Sequence, residues 1–251
     1  MATRLALIGG EEFAEGFEDL HAGLLADLGG GTRRVVYLPT CAADDGEGAI
    51  EYWCATAREK LSALGAVVET PRMVDPASSD DARHAQLVAE ADWIYLGGGY
   101  PHVAMRILPH TLVLEALRSA MQRGALITGS SGGAMLMGAR SHIMTAELAA
   151  EIGRVWEDGA PADWDPPLPP LLDCLGLVPR SMCAPHFNRL FPHRWLERGF
   201  LPNGFALIGI DEQTAWVSTQ DGWEVRGRGA VTLIPEDLVP TPYSSGATLA
   251  L

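Results

Sequence analysis

The sequence predicts an α/β fold in which a mostly parallel central sheet carries helices on both faces. Three observations carry this expectation. Short, nearly continuous apolar runs alternate with longer stretches of helical periodicity, the pattern of parallel strands covered on both sides. Several of the runs stop at glycine clusters, where the chain must turn sharply. One run, residues 125–128, leads into Gly129-Ser130-Ser131-Gly132-Gly133 and then an apolar helical stretch, a strand–turn–helix in outline.

In chain order, residues 5–8 read as a first strand closed by Gly9-Gly10. Residues 13–28 place apolar side chains at helical spacing and stop at Gly29-Gly30-Gly31. Arg34–Leu38 is a second strand ending at Pro39-Thr40. A long helix over 49–64 closes at Gly65, before a third strand at 66–70. A short helix over 80–91 precedes the strand Trp93–Leu96, which stops at Gly97-Gly98-Gly99. A helix over 102–122 leads to the strand at 125–128. Beyond Arg140 the pattern loosens, and residues 156–170, rich in proline with Trp156 and Trp164, read as an ordered loop or insertion. Residues 204–210, Thr214–Ser218 and Ala230–Ile234 read as antiparallel or mixed strands, separated by turns at Gln220-Asp221-Gly222 and Gly227-Arg228-Gly229. With no internal repeat, a single domain over residues 1–251 is expected, carrying the 156–170 segment as its insertion.

At 251 residues and 47% hydrophobic, the chain has enough apolar material for a full core. A formal charge of −14 argues against nucleic acid, whose phosphates call for a basic face. Cys41, Cys54, Cys174 and Cys183 show neither C-x-x-C nor metal-ligand spacing, so neither metal nor cofactor is expected. No run reaches about 18 apolar residues, and the opening run is too short for a signal peptide. These features together predict a cytoplasmic protein without a membrane partner, one that could form a homodimer.

Gly129–Gly133 fits G-x-S-x-G, the nucleophile elbow that lifts a serine above a sheet edge. Ser131 would then stand at a helix start, where free N–H groups favour a developing oxyanion. A plain turn in which Ser130 or Ser131 only caps the helix competes with that reading. A serine nucleophile needs a base. Among the seven histidines, His21 and His84 fall on expected helices and read as solvated, and His102 could approach the site from beyond the glycine run. His186 is the strongest candidate, flanked by Pro185 and Phe187 at the end of a short apolar run.

Four segments resemble the serine peptidases that include aspartyl dipeptidase (dipeptidase E) and cyanophycinase. They are Trp93–Leu96 with Gly97-Gly98-Gly99, the elbow Gly129-Ser130-Ser131-Gly132-Gly133-Ala134, Leu175-Gly176-Leu177-Val178-Pro179 followed by Ala184-Pro185-His186-Phe187, and Ile208-Gly209-Ile210-Asp211-Glu212-Gln213-Thr214-Ala215. The resemblance implies a class I glutamine-amidotransferase-like fold, a flavodoxin-like three-layer sandwich. It also implies Ser131 as nucleophile, His186 as general base and Glu212 as orienting acid, with Asp211 beside it. The dipeptidase branch draws its acid from just after the nucleophile, where Glu147 and Glu151 stand. Backbone N–H groups of Gly98 (or Gly99) and Gly132 would form the oxyanion hole.

The implied activity is hydrolysis of short peptides, with an acidic first residue as one option and β-aspartyl–arginine material as another. A non-catalytic binding or regulatory protein on the same fold is the third alternative. Three departures from the family pattern stand out. Gly132 replaces an alanine, a change expected to be tolerated because the donor there is backbone. Tyr100 follows the glycines in place of small or polar residues, and Ala184-Pro185 replaces a polar pair before the histidine. Arg189 and Arg194 could meet a substrate carboxylate or remain solvated. Tyr100, His102 and the 156–164 stretch could roof the pocket.

Overall fold

The computed structural model describes residues 3–29, 31–158, 160–161 and 164–249, without the side chains of 157 and 158. Its first sheet is built around five parallel strands: β1 (Arg4–Ile8), β2 (Arg34–Leu38), β3 (Val67–Glu69), β4 (Trp93–Leu96) and β5 (Leu126–Ser130). A second sheet begins with β6 (Arg140–His142), β7 (Leu171–Asp173), β8 (Ser181–Ala184) and β9 (Ala206–Ile210). The chain then returns to the first sheet with β10 (Thr214–Ser218) and β11 (Trp223–Gly227), crosses to the second with β12 (Ala230–Ile234) and β13 (Thr241–Ser244), and finishes in the first with β14 (Thr248–Leu249). The first sheet runs β14-β11-β10-β1-β5-β4-β2-β3 and the second β13-β12-β9-β8-β6-β7.

Alternation along the strands sorts side chains to the two faces of the first sheet. Ala6, Ile8, Val35, Tyr37, Trp93 and Tyr95 pack under α1 (Glu18–Asp27) and α2 (Glu47–Ala63). Leu5, Leu7, Val36, Leu38, Ile94 and Ile127 face the other way. There they meet α4 (Ala82–Glu90), which follows the short α3 (Pro76–Ser79), together with α5 (Pro101–Ile107), α6 (Leu112–Gln122) and α7 (Gly132–Met137). The second sheet joins this layer through Cys183, Ile208, Ile210 and Val231. Its opposite face, with Met182, Ala184, Leu207 and Ile234, packs on α8 (Ala146–Asp158) and on Trp195 and Phe200. The two short helices α9 (Phe187–Leu190) and α10 (Arg194–Glu197) connect β8 to β9.

Several expected boundaries move. The first helix begins at Glu18 rather than 13, because residues 10–17 form turns with Gly16 at φ +77°. The helix expected over 80–91 begins at Ala82, where Asp81 caps it by accepting from the Arg83 N–H at 2.7 Å. The helix expected over 102–122 is two helices. His110 adopts φ +64° between them, and Thr111 restarts the chain as the N-cap of α6. The insertion expected over 156–170 starts later, because Trp156 belongs to α8. Positions 159, 162 and 163 of that insertion lie outside the described residues, while 164–170 carry no regular element. No helix among the described residues is long and apolar enough to cross a membrane.

Candidate active site

Why the site forms where it does follows from β1. It lies between β5, parallel with Ile8 opposite Ser130, and β10, antiparallel with Ile8 opposite Ala215. The carboxyl end of β5 and the start of β10 therefore flank the carboxyl end of β1, the edge where open α/β sheets bind ligands. The turn after β5 delivers Ser131, and the turn before β10 delivers Glu212.

The elbow is tight for reasons that can be read atom by atom. Ser131 sits at φ +50°, ψ −119°, between β5 and α7, and its N–H donates to Ile8 O at 3.0 Å. A Cβ on Gly129 would lie 2.3 Å from Gly133 O, and one on Gly133 2.1 Å from Leu96 O. Backbone fills both places, so the motif's two flanking glycines are steric requirements. Gly132 is equally constrained, since its Cβ would fall 1.9 Å from Gly99 O. The glycine that stands where the resemblance has an alanine is therefore a steric requirement in this chain. In this chain the backbone of the Gly97–Gly99 turn has closed onto the elbow.

His186 approaches from the end of β8. Its backbone is left-handed (φ +51°, ψ +32°) and its N–H donates to Gly9 O at 2.7 Å. The imidazole Nε2 lies 3.0 Å from Ser131 Oγ, and Nδ1 lies 2.8 Å from Glu212 Oε1. With Nδ1–H donating to the carboxylate, Nε2 is left to accept from the serine hydroxyl. Burial pushes the His186 pKa below its ordinary value, against the hydrogen bond and charge of Glu212, so the ring is neutral at pH 7.

Glu212 is held on all sides. Its N–H donates to Asn188 Oδ1 at 3.1 Å, and Arg189 Nη1 lies 3.5 Å from its carboxylate. The other candidate acids make no hydrogen bond or ion pair with His186. Asp211 accepts from the Ala230 N–H at 2.9 Å, Glu151 pairs with Arg154 at 3.4 Å, and Glu147 is exposed.

Gly98 and Gly132 flank the serine. A Cβ on Gly98 would be 3.4 Å from Ser131 Cβ, and Gly132 is the first residue of α7, whose opening N–H groups have no intrahelical acceptor. Tyr100 caps α5 and borders the cavity at Ser131. His102 packs tilted against Tyr100, ring centroids 5.7 Å apart, but is not among the described residues that border Ser131's cavities.

The two arginines do not face those cavities. Arg189 stacks over the Trp156 ring at 4.4 Å, donates to Trp156 O at 2.6 Å and braces Glu212, while Arg194 is exposed. His21, expected in solvent, is 2% exposed, with Nε2 3.4 Å from the Tyr95 hydroxyl. Phe13, Trp93 and Tyr95 enclose it, because α1 turns that face to the sheet.

Two contributors, Gly10 and Glu12, are not among the site residues expected from the sequence. Gly10, at φ +119°, passes so close under the imidazole that a Cβ would lie 2.1 Å from His186 Cε1. Glu12 is buried and borders the second cavity at Ser131, and burial raises its pKa. Trp156, expected in the stretch that could roof the pocket, stands near the end of helix α8 and meets His186 edge-on at 5.0 Å. The double glycine after β1 was the available signal for Gly10; Glu12 had none.

Two cavities open at Ser131. One, of about 320 Å³, extends toward the second sheet between Met135, Trp156, Trp195 and Phe200. The other, of about 590 Å³, extends past Glu12 toward Tyr52 and Trp53 on α2. Cys183 borders the first, but burial lifts its thiol to about 12, so it offers no thiolate. Among the described residues no group of three His, Cys, Asp or Glu side chains could hold a metal ion.

Comparison with known proteins places these features in context. The family model of peptidase family S51 matches residues 5–225. Two curated relatives, cyanophycinases of Trichormus variabilis and of a Nostoc species, are each 31% identical over 158 residues, 59% of this chain and 47% of theirs. The match thus spans about half the length of those relatives. Among solved structures, a peptidase from an acI-B1 actinobacterium superposes with a TM-score of 0.80 at 24% identity, covering 100% of this chain and 98% of its own. A candidate peptidase E protein from Listeria monocytogenes EGD-e gives 0.58 at 15% identity, covering 90% and 98%. Both likenesses are of fold, the α/β sandwich of the class I glutamine-amidotransferase type.

Proposed function

The chain belongs to peptidase family S51, and on that premise we propose that it hydrolyses short peptides through a Ser131–His186–Glu212 triad and an acyl-enzyme. The observation that carries this reading is the unbroken chain of contacts from Ser131 Oγ to His186 Nε2 (3.0 Å) and from His186 Nδ1 to Glu212 (2.8 Å). Neutral His186 takes the Ser131 proton as Oγ attacks the carbonyl carbon, and Glu212 stabilises the imidazolium that results. The Gly98 and Gly132 N–H groups face the developing oxyanion. The imidazolium then protonates the leaving amine. Water, deprotonated by the same ring, releases the acid and restores the serine.

Trp156 edge-on against the imidazole and the size of the two cavities, about 320 and 590 Å³, favour short peptides over folded proteins. A cyanophycinase-like action on β-aspartyl–arginine material is the second reading. The names of the two curated relatives favour it, while Ala184 and Pro185, which border the cavity, give an arginine no counter-charge.

Ser131→Ala is the direct test. Turnover and labelling by a small fluorophosphonate are both expected to vanish with the melting temperature unchanged. A wild-type protein that neither turns over peptides nor takes the label would instead be a binding protein on a peptidase fold.

A further inference from the structure

We propose that the cavity reaching from Ser131 toward the second sheet is the specificity pocket, and that it takes a large apolar side chain of the phenylalanine class beside the scissile bond. The proposal rests on the serine-hydrolase reading and adds the substrate to it. The walls are Met135, Met144, Ile152, Trp156, Trp195 and Phe200, which come from α7, the loop before α8, α8 itself and the chain around α10. A volume of about 320 Å³ admits one aromatic side chain together with part of the backbone that carries it. Met135 and Met144 are unbranched and polarizable, suited to closing on rings of different outline.

Within this cavity the charge inventory speaks against an acidic or a cationic side chain, since Glu11, Glu12 and Glu59 border only the second cavity. Among the described residues bordering this cavity no lysine or arginine appears, and its inner histidine, His142, is pushed down to about 4 by burial and so carries no charge at pH 7. An aspartyl side chain would lose its water and gain no cation, a cost that rejects it. The single carboxylate is Asp45, which borders both cavities at the Ser131 end and leaves the deeper walls without an anion for arginine. Across both cavities Lys60 is the only lysine or arginine among the described residues, and it lies 3.7 Å from Glu18. Trp164 borders the pocket with its Nε1 buried and lacking a partner among the described residues, a donor that a substrate carbonyl or hydroxyl would satisfy.

The test compares wild-type kcat/KM on peptides in which the residue on either side of the bond is Phe, Leu, Ala, Asp or Arg. At one of the two positions Phe and Leu are expected to exceed Ala by about 10²-fold, with Asp and Arg at or below Ala. Asp or Arg ahead of Phe, or no preference, overturns the proposal. Ile152→Arg puts a cation at the wall from a half-buried position on α8; it should lower the Phe rate at least tenfold and raise the Asp rate, and unchanged selectivity counts against the pocket. Met144→Lys repeats the test should Ile152→Arg fail to fold.

Calorimetric binding of the same peptides to Ser131→Ala reads the pocket without chemistry. Selective binding of Phe peptides is expected, while equal or absent binding overturns the assignment. Fluorophosphonate labelling of the wild type reports separately on the nucleophile. Phe-selective binding without labelling would therefore sink the hydrolase reading and leave the pocket standing.

Discussion

Gly10→Ala tests the claim that the imidazole is seated on bare backbone. The added Cβ would fall 2.1 Å from His186 Cε1, 2.7 Å from Nδ1 and 2.8 Å from Nε2. Ordinary contact begins near 3.4 Å, so the ring must withdraw by about 1.3 Å (3.4 minus 2.1) at its nearest atom. Both of its hydrogen bonds, at 3.0 and 2.8 Å, would be stretched past useful length by such a move. A displacement of about 1 Å costs on the order of 10²-fold, and full loss of the base considerably more, so kcat should fall by roughly 10² to 10⁴.

The substitution also strains the backbone, since φ is +119° and a side chain there costs ~1–3 kcal/mol. Gly46→Ala supplies the control: φ is +90°, but nothing lies within 4 Å of the added Cβ. Both variants should melt a few degrees lower, and only Gly10→Ala should lose turnover and fluorophosphonate labelling. Gly10→Ala activity within threefold of Gly46→Ala would refute the seating argument.

Three further outcomes are expected. Glu212→Gln keeps the shape but removes the charge that stabilises the imidazolium, so kcat should drop by about 10² to 10⁴; Asp211→Asn, which only loosens the Ala230 N–H contact, should cost ~1 kcal/mol of stability in urea titrations and little activity. His21 supplies a pH signature. Burial holds it at about 4 in the folded protein against about 6.5 unfolded, so the unfolded chain binds the extra proton as pH falls between those values. Stability is therefore complete above about pH 6.5 and declines below it, by about 2 kcal/mol from this group between pH 7.5 and 5. Urea midpoints at those two pH values should differ less in His21→Phe, and an unchanged difference would rule out His21 as the source.

Local chemistry explains why some elements could be read directly and others not. The five parallel strands and the elbow declared themselves because each is short, apolar and closed by glycine or proline. Helix α8 also carried a signal, with Leu148, Ile152 and Val155 at helical spacing, but Gly153 and the proline-rich stretch beyond it obscured the pattern. The split between α5 and α6 rests on His110 at φ +64°, a conformation that no histidine announces in advance. Arg189 looked like a substrate ligand from its nearness to His186; only packing revealed that its guanidinium braces Glu212 and lies on Trp156.

From the sequence alone came the sheet, the hydroxyl on its turn, and an imidazole and carboxylate in recognisable surroundings, because strand patterning and glycine turns are short-range properties. Folding decided what surrounds them. β1 lies between β5 and β10, which sets Gly10 under the ring, and the second sheet swings Met, Trp and Phe side chains from distant segments around one cavity. Those neighbours are chosen by which apolar faces bury against one another, a long-range outcome that no local stretch of the chain encodes.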